Sequence, residues 1–140
     1  MNVFIIGTAL ETAKALDRRR LNKQIIECQQ MLDAMEGETA WSNHPCTLQY
    51  VPHKEWLYNY MLCLKLYRFR DLSLSQYYSS ECEKKKPQFH TEEFFTQMKR
   101  RLYQKNEKHY QQWSHLGKSL DNWYYIDGAW RVYNNGKLLK

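Results

Sequence analysis

Between positions 16 and 32 the chain reads Leu16-Asp17-Arg18-Arg19-Arg20-Leu21-Asn22-Lys23-Gln24-Ile25-Ile26-Glu27-Cys28-Gln29-Gln30-Met31-Leu32, mixing carboxylates, amines and amides with an apolar repeat. Leu21, Ile25, Cys28, Leu32 and Met35 recur at three- and four-residue intervals, the stripe of a helix that faces a core. With successive side chains about 100° apart, Asp17 and Gln24 fall on the shoulder of that stripe. Arg20 and Glu27 lie just beyond on the same flank, and Lys23 and Gln30 continue round. Polar groups at a stripe's shoulder are half-buried and demand partners. The partners are of two kinds. Asp17 with Arg20, and Lys23 with Glu27, have the spacing of intrahelical ion pairs, which makes a salt-bridged solvated face. Presented to an anionic ligand, the same residues are a site: the cations hold phosphate and Glu27 serves as acid or base.

The composition fits the second reading without requiring it. Lys and Arg exceed Asp and Glu to a formal charge of +6, which favours DNA or a nucleotide ligand as partner. Aromatic residues make up 15% of the chain, and they supply both core and stacking platforms. Cys28, Cys46, Cys63 and Cys82 include no C-x-x-C pair, and Met1-Asn2-Val3-Phe4-Ile5-Ile6 lacks the basic flank and apolar length of a secretory signal. No segment has the length of apolar sequence a membrane span needs. Reduced thiols and a cytoplasmic setting, with no membrane partner, are expected. No metal is expected, since His44, Cys46 and His53 lack a fourth ligand and standard spacing; no cofactor is expected either.

The elements that would position the site follow from periodicity and caps. Thr8 and Glu11 form a capping-box pattern, so a helix is expected from there to Glu36, stopped by Gly37. Residues 37–52 connect it to a second helix running from about Pro52 to Leu72. Tyr77–Phe89 reads as an exposed loop. Thr91-Glu92-Glu93-Phe94 opens a third helix to about His115. Asp127-Gly128 between apolar residues signals a small hairpin in the aromatic tail. The expectation is an all-α fold: one compact three-helix domain over residues 1–140 with an irregular aromatic C-terminal segment.

The run Leu16-Asp17-x-x-Arg20-Leu21-x-Lys23-Gln24-x-x-Glu27-x-x-Gln30-x-Leu32 resembles the helix signature of the pyrimidine-dimer DNA glycosylase family, in its bacterial and phage branch. Asn2-x-Phe4 is similar to that branch's opening, and Trp41-x-Asn43-His44-Pro45 to its W-x-x-H-P element. Leu102-x-x-Lys105-Asn106-x-x-x-Tyr110 and Trp123-Tyr124-Tyr125 are similar to its later segments. The resemblance implies a mainly helical protein with its N-terminal segment threaded between helices, in a bacterial or phage-infected cell. It implies cleavage of the glycosidic bond at ultraviolet-induced dimers, then strand cleavage by β-elimination through an imine. In the founding enzymes the nucleophile is the α-amine of an N-terminal Thr, assisted by a Glu of the first helix.

Two positions depart from that pattern. Residue 2 is Asn, too large for ready removal of Met1, and the alignment sets Arg20 where the assisting Glu stands. The amine candidates that remain are Lys23, beside the cationic cluster of Arg19 and Arg20, and the α-amine of a retained Met1, since α-amines as a class have lower reference values than lysine side chains. Glu27 is the candidate acid or base. Asn2, Asp17, Arg20, Gln24, Trp41, Asn43 and His44 are candidate ligand contacts, with Pro45 holding His44 extended. Lys99, Arg100 and Lys105 are candidate phosphate contacts, against the alternative of a solvated helix surface. Two functions stay open: a DNA glycosylase/AP-lyase, and a non-catalytic nucleotide-binding sensor or sequestering protein that keeps the pocket without the Thr amine.

Overall fold

Residues 2–5 enter the interior at once: Asn2, Val3, Phe4 and Ile5 are all buried, without a strand partner. A buried backbone needs other hydrogen-bond partners, and side chains supply them. The Gln24 amide oxygen accepts from the Phe4 N–H at 2.6 Å, and Gln24 Nε2 donates to the Asn2 carbonyl at 2.9 Å. The Ile6 N–H donates to Thr12 Oγ1 at 3.1 Å. The computed structural model describes residues 1–139.

Thr8 and Glu11 form the expected capping box and start α1 (Ala9–Ala15). The long first helix is broken, however. Leu16 and Asp17 are extended, and α2 (Arg18–Glu36) starts afresh with Asp17 as its N-cap. Tyr110 causes the break. Its hydroxyl accepts at 2.9 Å from the Asp17 N–H, which a continuous helix would use, and donates to the Asp17 carboxylate.

The connection to the next long helix holds a short helix, α3 (Pro45–Tyr50), and a 3-10 turn over Val51–His53. The second long helix, α4 (Lys54–Arg68), is therefore shorter than residues 52–72. The stretch expected as a loop over 77–89 is largely helical, in α5 (Leu72–Lys84). Its buried stripe is Ser75, Ser79 and Cys82, small and mostly polar, so hydrophobic periodicity did not reveal it. Both hydroxyls are satisfied: Ser75 donates to the Cys63 carbonyl at 2.9 Å, and Ser79 accepts from the Leu10 N–H at 3.0 Å. The next helix, α6 (Glu92–Lys105), stops at Asn106, whose side chain accepts from the His109 N–H at 3.1 Å. A 3-10 turn over Gln111–Leu116 replaces the expected continuation.

The tail is ordered into an antiparallel sheet of β1 (Asn122–Ile126), β2 (Ala129–Asn134) and β3 (Lys137–Leu138), in the order β1-β2-β3. Asp127 and Gly128 both have positive φ, 52° and 79°, as a type I′ hairpin turn requires. The fold is thus mainly helical, with six α-helices among the described residues and a small sheet the all-α expectation omitted. The core explains the aromatic content: Tyr50 stacks on Trp56 and Trp56 on Tyr60, with centroids 5.4 and 5.0 Å apart. Cys28, Cys46, Cys63 and Cys82 are free thiols buried in that core. No helix among the described residues is long and apolar enough to cross a membrane.

Candidate active site

Where the threaded start meets α2 and the end of α6, a cavity of about 60 Å³ opens. Met1, Asn2 and Phe4 line it from the threaded segment, Arg20, Lys23 and Glu27 from α2, and Arg101 and Lys105 from α6. The spacings account for the convergence. Residues three and seven positions beyond Arg20 share its helix face, as do residues four apart on α6.

Glu27 provides the carboxyl group of the cavity and is 8% exposed. Neither expected intrahelical pair, Asp17 with Arg20 or Lys23 with Glu27, closes to a salt bridge among the described residues. Burial raises the Glu27 pKa; the terminal ammonium, Lys23, Arg20 and Lys105 pull it back in that order. The carboxyl therefore holds its proton to higher pH than an ordinary Glu, in a cavity otherwise lined by cations. The Arg20 guanidinium lies 5.5 Å and the Lys105 ammonium 5.9 Å from the Phe4 ring centre, so Phe4 seats both cations. Partial burial and the charges of Arg20, Arg101 and Lys23 bring Lys105 down to about 8. Arg101 donates from Nη1 to the Ser119 carbonyl at 3.2 Å, while its buried Nε has no partner among the described residues.

The terminal ammonium also acts on His44, whose pKa falls first through burial and then through that charge. His44 Nδ1 accepts from the Cys46 N–H at 3.1 Å and caps α3. Its ring is 5.5 Å from Trp41 and 6.1 Å, edge-on, from Tyr124. The Tyr124 hydroxyl donates to the Met1 carbonyl at 2.7 Å and pins the first residue. Met1 thus lines the cavity with Glu27 and is held at its carbonyl by Tyr124, which stands edge-on to His44.

The structure brings together Met1, Asn2, Arg20, Lys23, Glu27 and Lys105 of the expected site. Arg20 contributes a cation to the cavity, and Glu27, two turns on, its carboxyl group. Asn2 is also structural, its Nδ2 donating to Asn122 Oδ1 at 2.8 Å. Gln24 is fully buried as the anchor of the threaded segment, and Asp17 is engaged by Tyr110. Trp41 flanks His44, and Asn43 is exposed. Lys99 lies over the Trp113 ring at 5.8 Å, and Arg100 donates to the Lys118 carbonyl at 3.0 Å, both off the cavity. Phe4, Arg101 and Tyr124 enter the site unanticipated. Arg101 and Lys105 share the four-residue spacing of one helix face, the signal that could have paired them. Among the described residues no three His, Cys, Asp or Glu side chains converge as a metal set.

Residues 1–66 match the model of a family described as pyrimidine dimer DNA glycosylase. The match covers the threaded start, α1, α2, α3 and most of α4, and so includes every cavity residue except Arg101 and Lys105. No curated protein and no solved structure matches the chain significantly.

Proposed function

We propose, from the match of residues 1–66 to the pyrimidine dimer DNA glycosylase family, that this chain is a DNA-repair glycosylase and abasic-site lyase working through an imine on the Met1 α-amine. The observation that carries the reading is the convergence of that amine, the buried Glu27 carboxyl and a ring of cations on one small cavity.

The chemistry follows from these groups. The neutral amine bonds to C1′ of an extruded nucleoside as the C1′–base bond breaks, and the base leaves with the bonding pair and takes the proton of the Glu27 carboxyl. A proton passes from the nitrogen to the ring oxygen as the sugar opens, leaving an iminium that acidifies C2′. Ionised Glu27 stabilises this cation and takes the C2′ proton, the C3′–oxygen bond breaks, and water returns the amine. Surrounding cations hold the flanking phosphates. The unpartnered Arg101 Nε is suited to a phosphate oxygen. The Trp41–His44 pair offers an aromatic surface on which an unstacked base or its neighbour would rest. A cavity of about 60 Å³ is far smaller than the several hundred cubic ångströms that enclose a free ligand, which favours a reaction on a group reaching in over a nucleotide-sequestering pocket.

Strand cleavage on three duplexes tests this: ultraviolet-irradiated, abasic and undamaged. Cleavage of the first two alone is expected, and Glu27→Gln is expected to lower it by roughly 10²–10⁴-fold. Absence of cleavage at high protein concentration, with tight binding of free nucleotides in a thermal-shift screen, contradicts the reading and favours the sensor function.

A further inference from the structure

The opposite face of α2 carries a second feature, independent of the proposed chemistry. Gln29, Asp33 and Glu36 project about half a turn away from Arg20 and Glu27. On that side three clefts of about 450, 450 and 550 Å³ follow one another along the seam between α2 and α4. The first two share Arg68, and one helical turn separates the second from the third on each helix. The helices run antiparallel: Asn22, near the start of α2, accepts from Arg68 at the end of α4, and Glu36 at the end of α2 pairs with Lys54 at the start of α4.

Large apolar side chains stand in water along this seam. Tyr58, Ile26, Leu72 and Phe69 are 45%, 58%, 57% and 76% exposed. Such a continuous exposed strip is unusual on a monomer surface. Its charges are polarised. Arg18, Arg68 and Arg70 gather at one end and Lys65 stands in the middle cleft, whereas Asp33, Glu36 and Glu55 outnumber Lys54 and Lys85 at the other. A strip whose exposed Ile26 and Phe69 lie between oppositely charged ends is complementary to its own copy turned end for end.

We infer that this seam is a two-fold self-association surface whose occupant is a second copy of this chain. Laid antiparallel, the Arg18 end of one α2 faces the Glu36 end of the other, and Ile26 and Phe69 close over the axis. The cavity lies on the far side of α2 and stays open to DNA in both copies.

Sedimentation equilibrium at low salt tests the assignment, with a dimer expected at about 100 µM protein and weakening as salt screens the end charges. Phe69→Ser, at an exposed position, is expected to give a folded monomer by circular dichroism. Arg18→Glu and Glu36→Lys are each expected to weaken the dimer about tenfold, and the double variant to recover most of the loss, because each chain then presents both charges reversed. A wild-type monomer at that concentration overturns the proposal. So does a dimer untouched by Phe69→Ser, or charge reversals that add rather than compensate.

Discussion

Replacing Gln24 by Leu should release the start of the chain while leaving the volume of the core nearly unchanged. Gln24 is fully buried and makes three hydrogen bonds: it accepts from the Phe4 N–H at 2.6 Å and the Tyr60 hydroxyl at 2.9 Å, and donates to the Asn2 carbonyl at 2.9 Å. Leu strands all three partners. Each buried polar group left without a partner costs about 1–3 kcal/mol, so with partial relaxation the loss is about 4 kcal/mol. For a chain of this size that lowers the melting temperature by roughly 10–15 °C. Phe4 also seats Arg20 and Lys105, and Asn2 leads directly to the Met1 amine, so the cavity should open with the segment. Differential scanning calorimetry measures the first effect, and strand cleavage of abasic duplex below the lowered melting temperature measures the second. A drop of under about 3 °C with cleavage intact would refute the view that this one amide holds the terminus at the site.

Three further outcomes follow from the same contacts. Glu27→Gln should be at least as stable as the parent at neutral pH: burial raises the folded pKa of Glu27, so the carboxyl weakens the fold as pH rises through its unfolded value, and an amide removes that loss; thermal melts at pH 4 and pH 7 check it. His90 is 4% exposed, hydrogen-bonded to Tyr50 at 2.8 Å, and held down to about 3 chiefly by burial. Since only the unfolded chain protonates it readily, stability falls below pH 6.5, by about 2 kcal/mol at pH 5, measurable as a shift in the urea midpoint. Arg101→Met should weaken duplex binding and reduce its salt slope by about one charge, read from binding isotherms at several salt concentrations.

The site was legible in part because it is built on helix faces. Arg20, Lys23 and Glu27 share one face by spacing alone, and the cap at Thr8, the Asp127-Gly128 turn and the Leu21–Met35 stripe could be read from adjacent residues. What escaped depends on contacts distant in sequence. The helix breaks at Asp17 because Tyr110, 93 residues away, competes for its backbone. Gln24 has the pattern of a ligand contact, and only the threaded Asn2–Phe4 segment shows that its amide is spent on the fold. The α5 helix buries serines bonded to other helices, leaving no apolar period. Arg101 and Tyr124 reach the site through α6 and the sheet, whose docking no local pattern encodes.

The central claim is that the amine at the chain start is the nucleophile beside Glu27. Borohydride trapping on abasic duplex, followed by proteolysis and mass mapping of the adduct, tests it most directly. The expected result is a covalent product whose label lies on the peptide that begins at Met1, lost when the α-amine is selectively blocked and strongly reduced in Glu27→Gln. A product mapped to Lys23 or Lys105 contradicts the assignment of the amine, and no product at all contradicts imine chemistry at this cavity.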